Sequence, residues 1–145
     1  MDTDVYSYLN SPKDTRAQIY RPHVEGKLVA LSFITIGEIL FGAYKGKWGE
    51  TRLTELRSRL RSVTNVPYDF LVSDAYAHLK DQLRTVGRSV ADNDLWIAAC
   101  AVRYSIPVVS NNRAHFDNIP GLVLISEAPI VKAMESHGTP GPPQD

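Results

Sequence analysis

An α/β fold with a mainly parallel sheet is the architecture this sequence predicts. Short apolar runs of the kind that fill strands buried on both faces recur along the chain. Segments of helical periodicity separate them, and polar loops follow them. The run LVALS at 28–32 is the first of these strands, and FITIGEILFGAYKG at 33–46 follows it with Ile36, Ile39, Leu40 and Ala43 at helical spacing. ETRLTELRSRLRS at 50–62 sets Leu53, Leu56 and Leu60 on one face among charges, the pattern of an amphipathic surface helix. VTNVPYD at 63–69 reads as a short strand or turn. A helix over 70–86 is predicted from Ala75, Tyr76, Leu79, Leu83 and Val86, ending at Gly87, which suits a left-handed cap. The next helix lies within RSVADNDLWIAACAV at 88–102. IPVVS at 106–110 and LVLIS at 122–126 are further strands, separated by a polar loop, NNRAHFDNIPG. The end of the chain, GTPGPPQD, is too rich in Pro and Gly for regular structure, so the domain is assigned to 1–135 and a disordered tail to 136–145.

Composition narrows the function classes. The length of 145 residues and a hydrophobic content of 43% suit one domain with its own core. Sixteen basic and sixteen acidic residues cancel, so nucleic-acid binding would need a local basic patch. Cys100 is the only cysteine, which excludes an internal disulfide and points to a buried residue in a reducing cytoplasm. No apolar stretch reaches the ~20 residues of a membrane span, so no membrane partner is expected. Neither a P-loop nor a dinucleotide-binding glycine pattern follows a strand, which disfavours a nucleotide enzyme. The runs at 28–32 and 106–110 both end in Ser and not in the acceptor Asp of a receiver-like signalling module.

The acids are placed suggestively. Asp2 and Asp4 open the chain, Glu38 follows the first apolar run, Asp94 begins the helix of 88–102, and Asn112 follows VVS. In a parallel sheet the segments after the strands meet along one edge, so these oxygens can converge. Carboxylates brought close repel unless a divalent cation neutralises them, and hard oxygen ligands select Mg²⁺ or Mn²⁺. Each acid also has a structural reading. Asp92 or Asn93 suits a helix N-cap, Asp94 the helix dipole, and Asp4 the cap of VYSYLN. Glu38 suits a buried ion pair or a bond to Ser32 or Thr35, and Asn111 and Asn112 suit a turn.

Taken together, DTDVYSYL, SFITIGEILFGA, DNDLWIAACAV and VVSNNRAHFDNIPGL resemble, in order and spacing, the PIN-domain family and its VapC-type toxins of bacterial toxin–antitoxin pairs. The resemblance runs from Asp2 to about Leu124. It implies a PIN-like three-layer fold and a metal-dependent endoribonuclease that is neutralised by a cognate antitoxin and often dimeric. The resemblance puts metal ligands at Asp2, Glu38, Asp94 and Asn112, with Thr3, Asp4 and Ser110 supporting them. His115 and Phe116 continue the motif. Two departures stand out: Asn112 offers a neutral oxygen, and only Met1 precedes Asp2, so the first strand is truncated or missing. The implied chemistry is hydrolysis of an RNA phosphodiester by a metal-activated water. The basic residues nearest in sequence, Arg88 and Arg113, are candidates for phosphate contact, with Lys45, Lys47 and Arg103 behind them, and Tyr44 and Trp48 are candidate docking residues for the antitoxin. A catalytically silent PIN-fold protein that acts by binding a partner is the competing expectation.

Overall fold

The computed structural model describes residues 1–129. In order these form α1 (Thr3–Leu9), α2 (Arg16–Val24), β1 (Ala30–Leu31), α3 (Phe33–Lys45), α4 (Glu50–Ser62), β2 (Thr64–Asn65), α5 (Phe70–Thr85), α6 (Asp92–Arg103), β3 (Val108–Val109), α7 (Arg113–Phe116) and β4 (Leu124–Ile125). The tail assigned to 136–145 lies outside the described residues, as does the end of the domain assigned to 1–135.

All strand pairing is parallel among the described residues, β1 with β2 and β3 with β4, in two separate pairs. Met1 and Asp2 lie between the pairs. The Met1 ammonium donates to the Ala30 carbonyl at 3.0 Å, and the Asp2 N–H donates to the Val109 carbonyl at 2.9 Å. Met1 and Asp2 are therefore a two-residue stub of strand that joins the halves of the sheet.

Strand alternation explains the three layers. Successive side chains point to opposite faces. Ala30 and Val108 pack into a cluster with Val72, Leu79, Leu83 and Leu95 of α5 and α6. Leu31 instead joins Leu53, Leu56 and Leu60 of α4 and Ile39 of α3, and Val109 joins Val5 of α1 and Tyr20 of α2. The leucine stripe of α4 is thus buried as its spacing predicts, and each such side chain contributes roughly 1.5–3 kcal/mol. In α6 the apolar run is almost wholly enclosed, with Ala98 and Ala99 at 0% exposure; small side chains here let α5 approach closely. Cys100 sits in this run, and burial pushes its thiol up to about 11, so it behaves as a hydrophobe.

Helix α5 ends as predicted, with Gly87 at φ 69°. Two helices have no counterpart in the sequence reading. The helix α2 buries only Ala17 and Tyr20 and contains Pro22, so it lacks both a stripe and a clean interior. The four-residue α7 falls in the stretch read as a polar loop.

Candidate active site

The carboxyl ends of β1 and β3 and the start of α6 face an open cleft of about 560 Å³, lined by Asp2, Thr3, Asp4, Glu38, Asp92, Asn93, Asp94, Asn112 and His115, with Ala91. All four predicted ligand positions meet there.

Local structure places each one. Asp2 is the N-cap of α1, with its Oδ1 accepting the Thr3 N–H at 2.7 Å. Its Oδ2 accepts the Ser110 hydroxyl at 2.7 Å, and Ser110 Oγ in turn accepts the Asn112 N–H at 3.0 Å. Ser110 is fully buried, so it fixes Asp2 and the turn after β3 together. Asp4 Oδ2 accepts the Asn111 N–H at 2.9 Å, which ties α1 to the same turn, while its Oδ1 accepts the Val5 N–H in the first turn of its own helix, whose N-cap is Asp2.

Glu38 rises from the second turn of α3, whose N-cap is Ser32. Ser32 and Thr35 bond each other, so neither satisfies Glu38. Glu38 accepts instead from the Thr3 hydroxyl at 2.5 Å and from Asn93 Nδ2 at 2.8 Å. Asp94 is in the first turn of α6, where the helix dipole favours a carboxylate, and its Oδ2 lies 2.9 Å from His115 Nδ1.

The capping roles expected of Asp92 and Asn93 are not the ones found. The N-cap of α6 is Ala91, and Asp92 is the helix's first residue. Its carboxylate accepts from Tyr76 Oη at 2.7 Å and Lys80 Nζ at 2.9 Å. Asn93 and His115 line the cleft beyond the ligand and supporting positions that the sequence suggests. The amide nitrogen of Asn112 lies 2.8 Å from His115 Nδ1. An Nδ1–H shared between Asp94 and the Asn112 amide oxygen satisfies both contacts once that amide is turned.

Of the candidate cations, Arg88 reaches the Ala114 carbonyl at 3.4 Å beside the cleft. Arg113 is turned away from it, spent on the Ser126 and Ala128 carbonyls at 2.6 and 2.8 Å. Arg103 bonds Asp69, and neither Lys45 nor Lys47 lines the cleft.

Burial raises the pKa of Asp2, with the Glu38 charge adding to it and the Ser110 bond opposing it. Asp4 is pushed up to about 6, by burial first and then by Asp2. Asp94 is raised by burial and by the charges of Asp2 and Glu38, against the pull of His115. Mutual repulsion among like charges is what a divalent cation would relieve, and the donor set is almost entirely hard oxygen, which fits Mg²⁺ or Mn²⁺. Among the described residues no three acid, histidine or cysteine groups form a ready-made metal cage. Each carboxylate is held by a protein donor instead, so binding a cation would require these side chains to regroup.

The PIN domain family model matches residues 1–122. The chain is 26% identical to Ribonuclease VapC2 of Rickettsia felis over 125 residues, 86% of this chain and 93% of that protein. It is 25% identical to the tRNA(fMet)-specific endonuclease VapC of Shigella flexneri, covering 84% and 92%. Among solved structures it is similar to VapBC-1 of nontypeable Haemophilus influenzae, with a TM-score of 0.73 at 25% identity over 86% of this chain and 94% of that one. It is also similar to VapBC2 of Rickettsia felis bound to a promoter DNA fragment, with a TM-score of 0.70 at 25% identity, covering 86% and 95%. With a family model over residues 1–122 that takes in the cleft and all four converging positions, the chain belongs to the PIN-domain family.

Proposed function

We propose that this chain is an endoribonuclease and the toxin half of a toxin–antitoxin pair, hydrolysing an RNA phosphodiester at the cleft of Asp2, Glu38 and Asp94. The observation that carries this reading is the convergence of these acids, from three distant segments, with Asn112 in one open cleft. The VapC names of the relatives support the reaction class, and the VapBC assemblies among the structural neighbours support a protein partner.

Asp2, Glu38 and Asp94, with Asn112 completing the set, would hold Mg²⁺ or Mn²⁺. Such an ion would lower the pKa of a nearby water and offset charge on the transferring phosphate. The chain's other residues act by positioning: Ser110 orients Asp2, Thr3 and Asn93 orient Glu38, and His115 orients Asp94. A cognate antitoxin in the cytoplasm is the proposed partner. Its proposed docking surface includes Tyr44, 53% exposed, and Trp48, whose ring lies 3.4 Å beneath the Arg52 guanidinium. Pairing with a second copy belongs to the same proposal.

The test is Asp94→Asn, purified without its partner. It is expected to fold normally and to lose Mg²⁺-dependent RNA cleavage by at least ~10–100-fold. Cleavage at the wild-type rate overturns the metal-site reading. A silent, partner-binding PIN protein is the second reading, favoured by the two-residue stub that carries Asp2 and by the neutral Asn112. Calorimetric titration with Mn²⁺ separates the two, since a silent protein shows no binding that depends on Asp94.

A further inference from the structure

We infer that the turn after α5 forms a subsite for a flanking phosphate of single-stranded RNA, with Arg88 as its binding residue; the inference rests on the ribonuclease reading of the cleft. Three concavities lie in series. The acidic cleft shares Ala91, Asp94 and His115 with a smaller one of about 150 Å³, which shares Ser89 and Val90 with a third of about 360 Å³. A trough of adjoining concavities therefore runs from the carboxylates, past residues 89–91, to Arg88.

Charge changes sign along this trough. Its far end is lined by Lys80, Arg84 and Arg88. Lys80 is paired with Asp92 at 2.9 Å and Arg84 with Asp81 at 2.7 Å. Among the described residues Arg88 has no carboxylate partner. Its Nη2 makes one long bond, to the Ala114 carbonyl at 3.4 Å, and its Nη1 is buried with no hydrogen-bond partner. Arg88 is half-buried, and a modest turn of its guanidinium brings the unsatisfied Nη1 donors out to the concavity that it lines, where a phosphate oxygen is the acceptor whose charge and geometry match the fork.

The position of Arg88 is set by backbone. Gly87, at φ 69°, reverses the chain, and the N–H groups of Gly87 and Arg88 donate to the Arg84 and Leu83 carbonyls at 3.0 and 2.9 Å. The Arg88 backbone is thereby fastened to the last turn of α5. An RNA strand with one phosphate in the acidic cleft carries others on either side, and these are repelled by Asp92 and Asp94 unless a cation receives them. Arg88 is the cation at the end of the trough with bonds still to make.

The test measures binding of a fluorescent single-stranded RNA across a salt series, and steady-state cleavage, for the wild type, Arg88→Gln, Arg88→Lys and the control Arg61→Gln. Arg88→Gln is expected to weaken RNA binding about tenfold and to lower the salt slope by about 0.7, the value for one lost single-strand phosphate contact. KM should rise with kcat unchanged. Arg88→Lys, which keeps the charge without the fork, should retain most of the slope. If Arg88→Gln binds and cleaves like wild type, or loses no more than Arg61→Gln, the subsite is overturned while the ribonuclease reading stands. If the wild type binds RNA with an Arg88-dependent slope but never cleaves it, the subsite stands and the ribonuclease reading falls. Should Arg88→Gln fail to fold by thermal melting, Arg88→Lys decides by KM: a wild-type value overturns the fork's role, and a raised one supports it.

Discussion

Ser110 is fully buried at the end of β3, where its hydroxyl hydrogen goes to Asp2 and its oxygen takes the Asn112 N–H. Removing that hydroxyl leaves a buried carboxylate oxygen and a backbone N–H without partners. Ser110→Ala is therefore expected to cost about 1–3 kcal/mol, read from the denaturant midpoint. It should also slow RNA cleavage by ~10–100-fold, because Asp2 is no longer aimed. A variant that cleaves at the wild-type rate after this stability loss shows Ser110 to be a structural residue only. At this scale the sequence was a partial guide. Asp94 was separable from Asp92 by its place in the motif, and the structure puts Asp92 on Lys80 and Asp94 on His115. The link from Asn93 to Glu38 was not legible, since it joins residues 55 apart and follows only from how α6 packs beside α3. The loss of Arg113 to the Ser126 and Ala128 carbonyls was equally invisible, because a cation's partner depends on which loop folds over it.

Among the elements, the helices with a strong stripe or a glycine stop were readable, as α3 to α6 show, because burial on one face imposes periodicity on the sequence. Strand positions were readable but their lengths were not: the run at 28–32 yields the two-residue β1, since ladder pairing depends on neighbours and not on apolarity alone. The stub at Met1 shows how much pairing is at stake. Leu31 and Val108 bond outward to β2 and β4, so by the alternation of a parallel ladder Ala30 and Val109 turn their N–H groups toward the middle of the sheet, beside Met1. A groove of about 260 Å³, lined by Leu28, Val29, Ala30, Ile106, Pro107 and Val109 among others, continues past Met1. The Met1 ammonium is itself buried enough to lower its pKa. An engineered extension of about three Val or Ile residues ahead of Met1 would replace that ammonium with a peptide N–H, offer carbonyls to Ala30 and Val109, and fill the groove with apolar side chains. It is expected to stabilise the protein by at least ~1 kcal/mol, the scale of one net hydrogen bond or one buried methylene. Melting temperature checks this, and an extension of Gly and Ser residues should gain less. No gain from the apolar extension means that the groove does not accept a strand.

For the whole molecule, the acids of the cleft couple stability to pH and to metal. Asp2, Asp4 and Asp94 all have pKa values raised by burial above the ordinary 3.8, Asp4 to about 6. A raised pKa means that the folded state holds these protons more tightly than the unfolded one. Between roughly pH 4 and 6 the native chain binds more protons, so stability falls as pH rises through this window and the loss is complete above it. The stabilising effect of the protonated acids is present only at the acid end. Metal acts in the opposite sense, because a divalent cation needs the ionised carboxylates and binds the folded cleft alone. Without divalent cation, melting temperature should therefore drop between about pH 5 and about pH 7.5. Millimolar Mg²⁺ or Mn²⁺ should raise it, and more at the higher pH. Asp94→Asn should both shrink the pH-dependent drop, by removing one repelled charge, and blunt the rescue by metal. A melting temperature that rises with pH in the absence of metal would contradict the raised acids. One that ignores metal at both pH values would remove the cation from the mechanism and leave the cleft as a cluster of strained carboxylates held by Ser110, Thr3 and His115.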